Sequence, residues 1–108
     1  MEVYLIRHTT PDTIKGICYG QTDLDIEKAL FMEELKIIQS KLPNDIEQFY
    51  SSPLKRCKIL TQNLANDYKT DTRLMELNFG LWEHKSWNAI KPAELNHWMA
   101  DFVNAYPP

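Results

Sequence analysis

Val3, Tyr4, Leu5 and Ile6 form an apolar run with no polar alternation, the pattern of a strand covered on both faces in a parallel sheet. A buried helix segment is the alternative for so short a run. Residues 9–24 lack helical spacing and carry Pro11, Gly16 and Gly20, which predicts a long surface loop with tight turns at the two glycines. From Asp25 or Ile26 to Leu42 the spacing becomes helical. Leu30, Ile38 and Leu42, in register with Glu34 and joined by Met32 and Leu35, form a core-facing stripe, with Asp25 as cap and Pro43-Asn44 as stop.

Asp45 to Ser51 predicts a second strand, less apolar and more peripheral than the first. Ser51-Ser52-Pro53 then suits a helix start, with Ser52 capping and Pro53 at the first helical position, where a missing N–H costs nothing. Leu54, Cys57, Ile59 or Leu60, Leu64 and Tyr68 give that helix its buried face. Thr70 to Leu77 is the third strand candidate, followed by a turn at Asn78-Phe79-Gly80. Helical spacing returns at Ser86, and Pro92 opens a final helix that packs Leu95, Met99 and Phe102 inward with Trp98 alongside. Trp82, Trp87 and Trp98 read as core or pocket-wall residues.

Composition narrows the classes without changing this outline. The 108 residues, 44% hydrophobic and 25% charged, suit one small globular domain. A net charge of −3 with no basic run argues against a nucleic-acid surface but leaves room for a small anion held by a few cations. No stretch approaches the ~20 apolar residues of a membrane span, and the N-terminus runs into the first strand without a cleavable leader pattern, so the expected compartment is the cytoplasm. Cys18 and Cys57 stand in no metal-like spacing and read as reduced structural thiols.

The candidate chemistry gathers at strand ends. Open α/β sheets bind ligands at the carboxyl ends of their strands, and there Arg7 and His8 follow Ile6. Arg offers a planar fork of donors matched to phosphate or carboxylate, and His is a base or nucleophile near neutral pH. From the dipeptide alone, a surface ion pair and a solvated histidine is the favoured reading. Arg56 falls in the first turn of the second helix, where the helix dipole disfavours a cation. Its placement asks for an anionic partner, with a plain surface arginine as the competing reading. Glu76 lies near the end of the third strand.

Four ordered blocks resemble the histidine phosphatase superfamily in its phosphoglycerate mutase-like branch: Leu5-Ile6-Arg7-His8-Thr9, Gly16 to Asp23, Ser51 to Cys57, and Leu74 to Glu83. Within it, the Arg-His-Thr opening and the Gly-x-Cys-Tyr-Gly-Gln-x-Asp block look like the α-ribazole phosphatases of cobalamin synthesis. The resemblance implies a three-layer α/β/α sandwich with a mainly parallel sheet. It implies His8 as the nucleophile that becomes phosphohistidine, Arg7 and Arg56 as phosphoryl clamps, and Glu76 as proton donor to the leaving alcohol. Gln21 and the backbone near Gly20 border the substrate, a small phosphorylated metabolite. Neither metal nor cofactor is implied. Two Arg forks suffice for charge on the equatorial oxygens, and nearby cations keep an attacking imidazole neutral. Glu83, after the same turn, takes an ion-pairing role in this scheme.

The resemblance departs in two places. Thr9 stands where the superfamily usually has Gly, and no Thr-His-Gly-like block supplies a second histidine, since His84 and His97 lie in other contexts. Residues 1–108 are therefore expected to be the N-terminal portion of a single histidine phosphatase domain. A central strand lacking its neighbour needs cover, for which a homodimer or a swapped element is one solution. The second function class is a non-catalytic phosphate-binding or assembly module; among enzymes, a phosphoglycerate mutase-like or broad-specificity phosphatase is the alternative.

Overall fold

The computed structural model describes all 108 residues, which divide into two compact units, Met1–Asp12 with Asp23–Met75, and Thr13–Thr22 with Glu76–Pro108. In the first unit, α1 spans Lys28–Lys41. Its cap is Glu27, whose carboxylate accepts from Ala29 N at 3.0 Å. Asp25, the expected cap, accepts instead from Ile26 N at 2.8 Å. The buried stripe is Phe31 and Leu35 with Ile38 partly covered, while Leu30 and Met32 are exposed. The pattern contains two overlapping stripes one residue apart, and the one carrying the aromatic ring faces the core.

Strand β1, Tyr50–Ser51, pairs in parallel with β2, Lys69–Thr70, with Tyr50 opposite Lys69 and Ser51 opposite Thr70. Helix α2, Lys55–Leu64, makes the crossover between them, as parallel pairing requires. This is an α/β fold with a parallel sheet, as expected. Both strands are shorter than the sequence pattern suggests. Asp45, Glu47 and Gln48 are exposed ahead of β1, and Asp71 ends β2 by accepting from Arg73 N and starting a 3-10 turn at Thr72–Leu74.

Val3–Ile6 forms no ladder and joins neither strand. Expected to be covered on both faces, Val3 and Leu5 are instead 70% and 95% exposed. An apolar run states a preference for burial; the partner that would satisfy it is not encoded in the run. The core of this unit lies between α1 and α2, where Ile26, Phe31, Leu35 and Leu60 pack together with Ile59 and Leu64.

Helix α2 also starts later than predicted. Leu54 is its N-cap without a side-chain bond of its own, and Ser52 Oγ accepts from Leu54 N at 3.3 Å. The first helical amide, Lys55 N, donates to Asp23 at 2.7 Å, a cap supplied from 32 residues away. The helix ends at Leu64, so Tyr68 lies beyond it and accepts from Gln62 Nε2 at 3.0 Å.

In the second unit the segment read as a loop is packed. Ile17 bridges Ser86 in antiparallel fashion. Cys18 N donates to Lys85 O at 2.7 Å and His84 N to Cys18 O at 2.9 Å, with His84 in the left-handed region at φ 69°. Cys18, Trp82 and Ile90 are buried, and Phe79, Trp87, Leu95 and Trp98 pack on them. The rings meet edge to face, Trp82 on Trp98 at 5.9 Å and Phe79 on Trp87 at 5.5 Å, the geometry that ring quadrupoles favour. Helix α3, Pro92–Ala100, opens on Pro92 as predicted and turns Leu95 and Trp98 toward this cluster. Met99 and Phe102, expected inward, are exposed. Phe102 lies past the helix end, with its ring edge to face on Trp98 at 6.3 Å. No helix is long and apolar enough to cross a membrane.

Candidate active site

Three of the predicted residues belong to the first unit. His8 is half-buried, and its Nδ1 lies 2.7 Å from its neighbour's carbonyl, Thr9 O. A carbonyl can only accept, so this contact selects the tautomer with hydrogen on Nδ1 and the lone pair on Nε2. Thr9, standing where the superfamily usually has Gly, is 2% exposed, with Oγ1 buried and without a hydrogen-bond partner. Arg7 is exposed.

Arg56 overturns the plain-surface alternative, because it is 1% exposed in the first turn of α2. Burying a guanidinium is expensive unless charge or hydrogen bonds compensate, and the amide end of a helix already repels a cation. Two side chains outside the helix order the segment that carries it: Asp23 on Lys55 N and Ser52 on Leu54 N. The sequence reading missed Asp23 as a cap. Its signal was an acid closing the Gly16–Asp23 block without an assigned task.

The other three predicted residues, Gly20, Gln21 and Glu76, belong to the second unit. Glu76 is exposed, and its carboxylate accepts from Leu77 N at 3.1 Å. Gln21 Nε2 donates to the Glu76 main-chain carbonyl at 3.2 Å. Gly20 is buried so closely against the chain that an added Cβ would overlap the Leu77 carbonyl oxygen and stand 2.8 Å from Phe79 Cδ2. Glycine is required there for space.

Glu83 corrects the ion-pairing expectation. Its carboxylate accepts from three successive amides, Gly20 N at 3.0 and 2.7 Å, Gln21 N at 2.7 Å and Thr22 N at 3.1 Å. Burial and, secondarily, this carboxylate push the nearby Cys18 thiol up to about 11, so Cys18 stays protonated at neutral pH. His84 is exposed with Nε2 3.4 Å from Thr22 Oγ1, and His97 is exposed on α3.

Comparison with known proteins gives the family. Residues 3–108 match the family described as the histidine phosphatase superfamily (branch 1). A Schizosaccharomyces pombe protein named as a probable phosphatase is 37% identical over 59 residues, covering 54% of this chain and 28% of its own. The 2,3-bisphosphoglycerate-dependent phosphoglycerate mutase of Thermoplasma acidophilum is 34% identical over 82 residues, covering 70% of this chain and 41% of its own. The crystal structure of TTHB049 from Thermus thermophilus superposes with a TM-score of 0.77 at 23% identity, over 95% of this chain and 59% of that one, a likeness of fold. The chain thus spans less than two thirds of the length of each of these relatives. With the family pattern running from residue 3 to residue 108, the chain belongs to the histidine phosphatase superfamily, branch 1.

Proposed function

We propose that the protein is a phosphomonoester hydrolase that works through a phosphohistidine on His8, without metal or cofactor, on a small phosphorylated metabolite. The observation that carries this reading is the buried Arg56 in the first turn of α2, in the same unit as His8, whose Nδ1 contact directs the ring's lone pair to Nε2. In this scheme Nε2 of His8 attacks phosphorus and the bond to the leaving alkoxide breaks. Arg7 and Arg56 bear the charge of the equatorial oxygens. Glu76 donates the proton the alkoxide takes up; once ionised, it draws a proton from the water that attacks the phosphohistidine, releasing phosphate and neutral His8. Gln21 and Gly20 border the substrate.

For the substrate we infer α-ribazole 5′-phosphate. Support comes from the Arg7-His8-Thr9 opening and the Gly16–Asp23 block. Family membership and the mutase relative support the coarser phosphatase or mutase class. We read residues 1–108 as the N-terminal portion of one such domain, supported by the share of its relatives that the chain spans. Phosphate release from α-ribazole phosphate and from phosphoglycerates, with chelator present, tests the assignment. Preference for the former, abolished by His8→Ala, is the expected result, and equal or greater release from phosphoglycerates rejects the substrate.

A second reading, a phosphate-binding module without turnover, rests on the buried Arg56 in the first turn of α2 alone. It predicts phosphate-ester binding that Arg56→Ala weakens, with no hydrolysis by the unaltered chain.

A further inference from the structure

The Glu83 carboxylate gathers the Gly20–Thr22 turn, and that turn in turn holds Glu76. Three consecutive amides converge on its two oxygens at 2.7–3.1 Å. Hydrogen bonds to an ionised acceptor are stronger than neutral ones, and three from successive residues fix the backbone of the turn as a unit. Gly20 is pressed against Leu77 so tightly that no side chain fits, so the turn cannot shift toward Glu76–Leu77 without displacing that backbone. The middle residue, Gln21, then reaches across with Nε2 to the Glu76 carbonyl at 3.2 Å. Glu83 is itself anchored, since its own amide donates to Gly80 O at 3.1 Å in the turn that places Trp82 in the core.

We propose that Glu83 is a positioning residue: through the Gly20–Thr22 turn and the Gln21 side chain it sets where Glu76 stands. The role rests on the reading of Glu76 as proton donor, but the chain of contacts is independent of it. Glu83 touches no reacting atom in this scheme, and its Oε1 accepts from all three amides.

Two readouts separate the positioning from the chemistry. The first is NMR of the unaltered chain, Glu83→Gln, Glu83→Ala and Gln21→Ala, following exchange of the Gly20, Gln21 and Thr22 amides, the Gln21 side-chain NH2 and the Glu76 carbonyl carbon. Glu83→Ala should speed exchange of the three amides by about tenfold or more and shift the Gln21 and Glu76 signals. Glu83→Gln, which keeps one accepting oxygen, should do so less. The second is the ratio of turnover on an alkyl phosphate to that on p-nitrophenyl phosphate, because only the poor leaving group needs a proton. General acid catalysis supplies about 10²–10⁴-fold, so Glu83→Ala should lower the ratio by about tenfold, with Gln21→Ala lowering it likewise. A general loss of structure would lower both rates and leave the ratio unmoved.

Glu76 and Gln21 signals unchanged in Glu83→Gln and Glu83→Ala would overturn the proposal, as would an unchanged ratio in an active protein. If Glu83→Ala does not fold, Glu83→Gln and Gln21→Ala carry the test, and their effects on the Glu76 signal should be less than additive. If the unaltered chain turns over neither ester, the hydrolase reading fails, and the NMR readout alone decides the positioning.

Discussion

Replacing Gly20 by alanine places one methyl group where the backbone of Leu77 already lies. The new Cβ would overlap the Leu77 carbonyl oxygen and approach Phe79 Cδ2 to 2.8 Å, and neither the main chain nor a ring packed at the edge of the tryptophan cluster yields freely. Overpacking of this kind costs about 1 to 3 kcal/mol. Moving Gly20 away from Leu77 also draws its amide off Glu83, and a hydrogen bond to a charged acceptor is worth about 1.5 to 3 kcal/mol. Taken together, Gly20→Ala should destabilise the second unit by about 4 kcal/mol, a large part of the roughly 5 to 15 kcal/mol that holds a domain folded. Gly16→Ala is the control. Gly16 has φ +82° and nothing within 4 Å of its added Cβ, so only backbone strain of about 1 to 2 kcal/mol applies. All three tryptophans lie in the second unit, so urea unfolding followed by tryptophan fluorescence reads that unit. A loss for Gly20→Ala no greater than that for Gly16→Ala would refute the steric argument.

Asp23→Ala should cost about 0.5 to 2 kcal/mol, the value of a lost cap, with the exchange of the Lys55 amide speeded most, since Asp23 is the acceptor for that amide. Phe31→Ala should lose about 3 to 5 kcal/mol as a buried ring is removed, whereas Met32→Ala, at a position 58% exposed, should stay within about 0.5 kcal/mol; chemical denaturation followed by far-UV circular dichroism compares them, and equal losses would mean the buried stripe of α1 is wrongly assigned. The Asp71–Arg73 pair gives a pH signature. Arg73 donates from Nε and Nη2 to Asp71, and these bonds hold the carboxyl down to about 2 from its ordinary 3.8. A lowered pKa in the folded state adds stability above the unfolded value that is lost as pH falls through the folded one. The stability difference between the unaltered protein and Asp71→Asn should therefore be level above about pH 4 and shrink toward pH 2; a difference that grows with acid would contradict the pairing.

The sequence was most legible where a residue acts through its immediate surroundings. Pro92 at the head of α3 needed no tertiary partner to be recognised, and the tryptophans at 82, 87 and 98 declared a core by size alone. The order of the blocks carried Arg7, His8, Arg56 and Glu76 to a family, and the family is the one found. Long-range partnership was illegible. The cap of α2 comes from Asp23, which no local rule connects to Lys55. Glu83 pairs with backbone amides of Gly20–Thr22, and amides have no signature in a sequence. The Val3–Ile6 run has strand chemistry but joins no ladder, because pairing belongs to two segments and propensity to one. In α1 the apolar positions allowed two adjacent stripes, and packing against Leu60 selected the one with Phe31.

The central claim is that His8 carries the phosphoryl group. Brief incubation with a phosphorus-labelled phosphomonoester in the presence of chelator, followed by alkaline denaturation and peptide mapping, tests it directly. The account predicts an acid-labile, alkali-stable label on the peptide containing His8, absent from His8→Asn and reduced in Arg56→Ala. Turnover that survives His8→Ala unchanged, or a stable label on another residue, would contradict it.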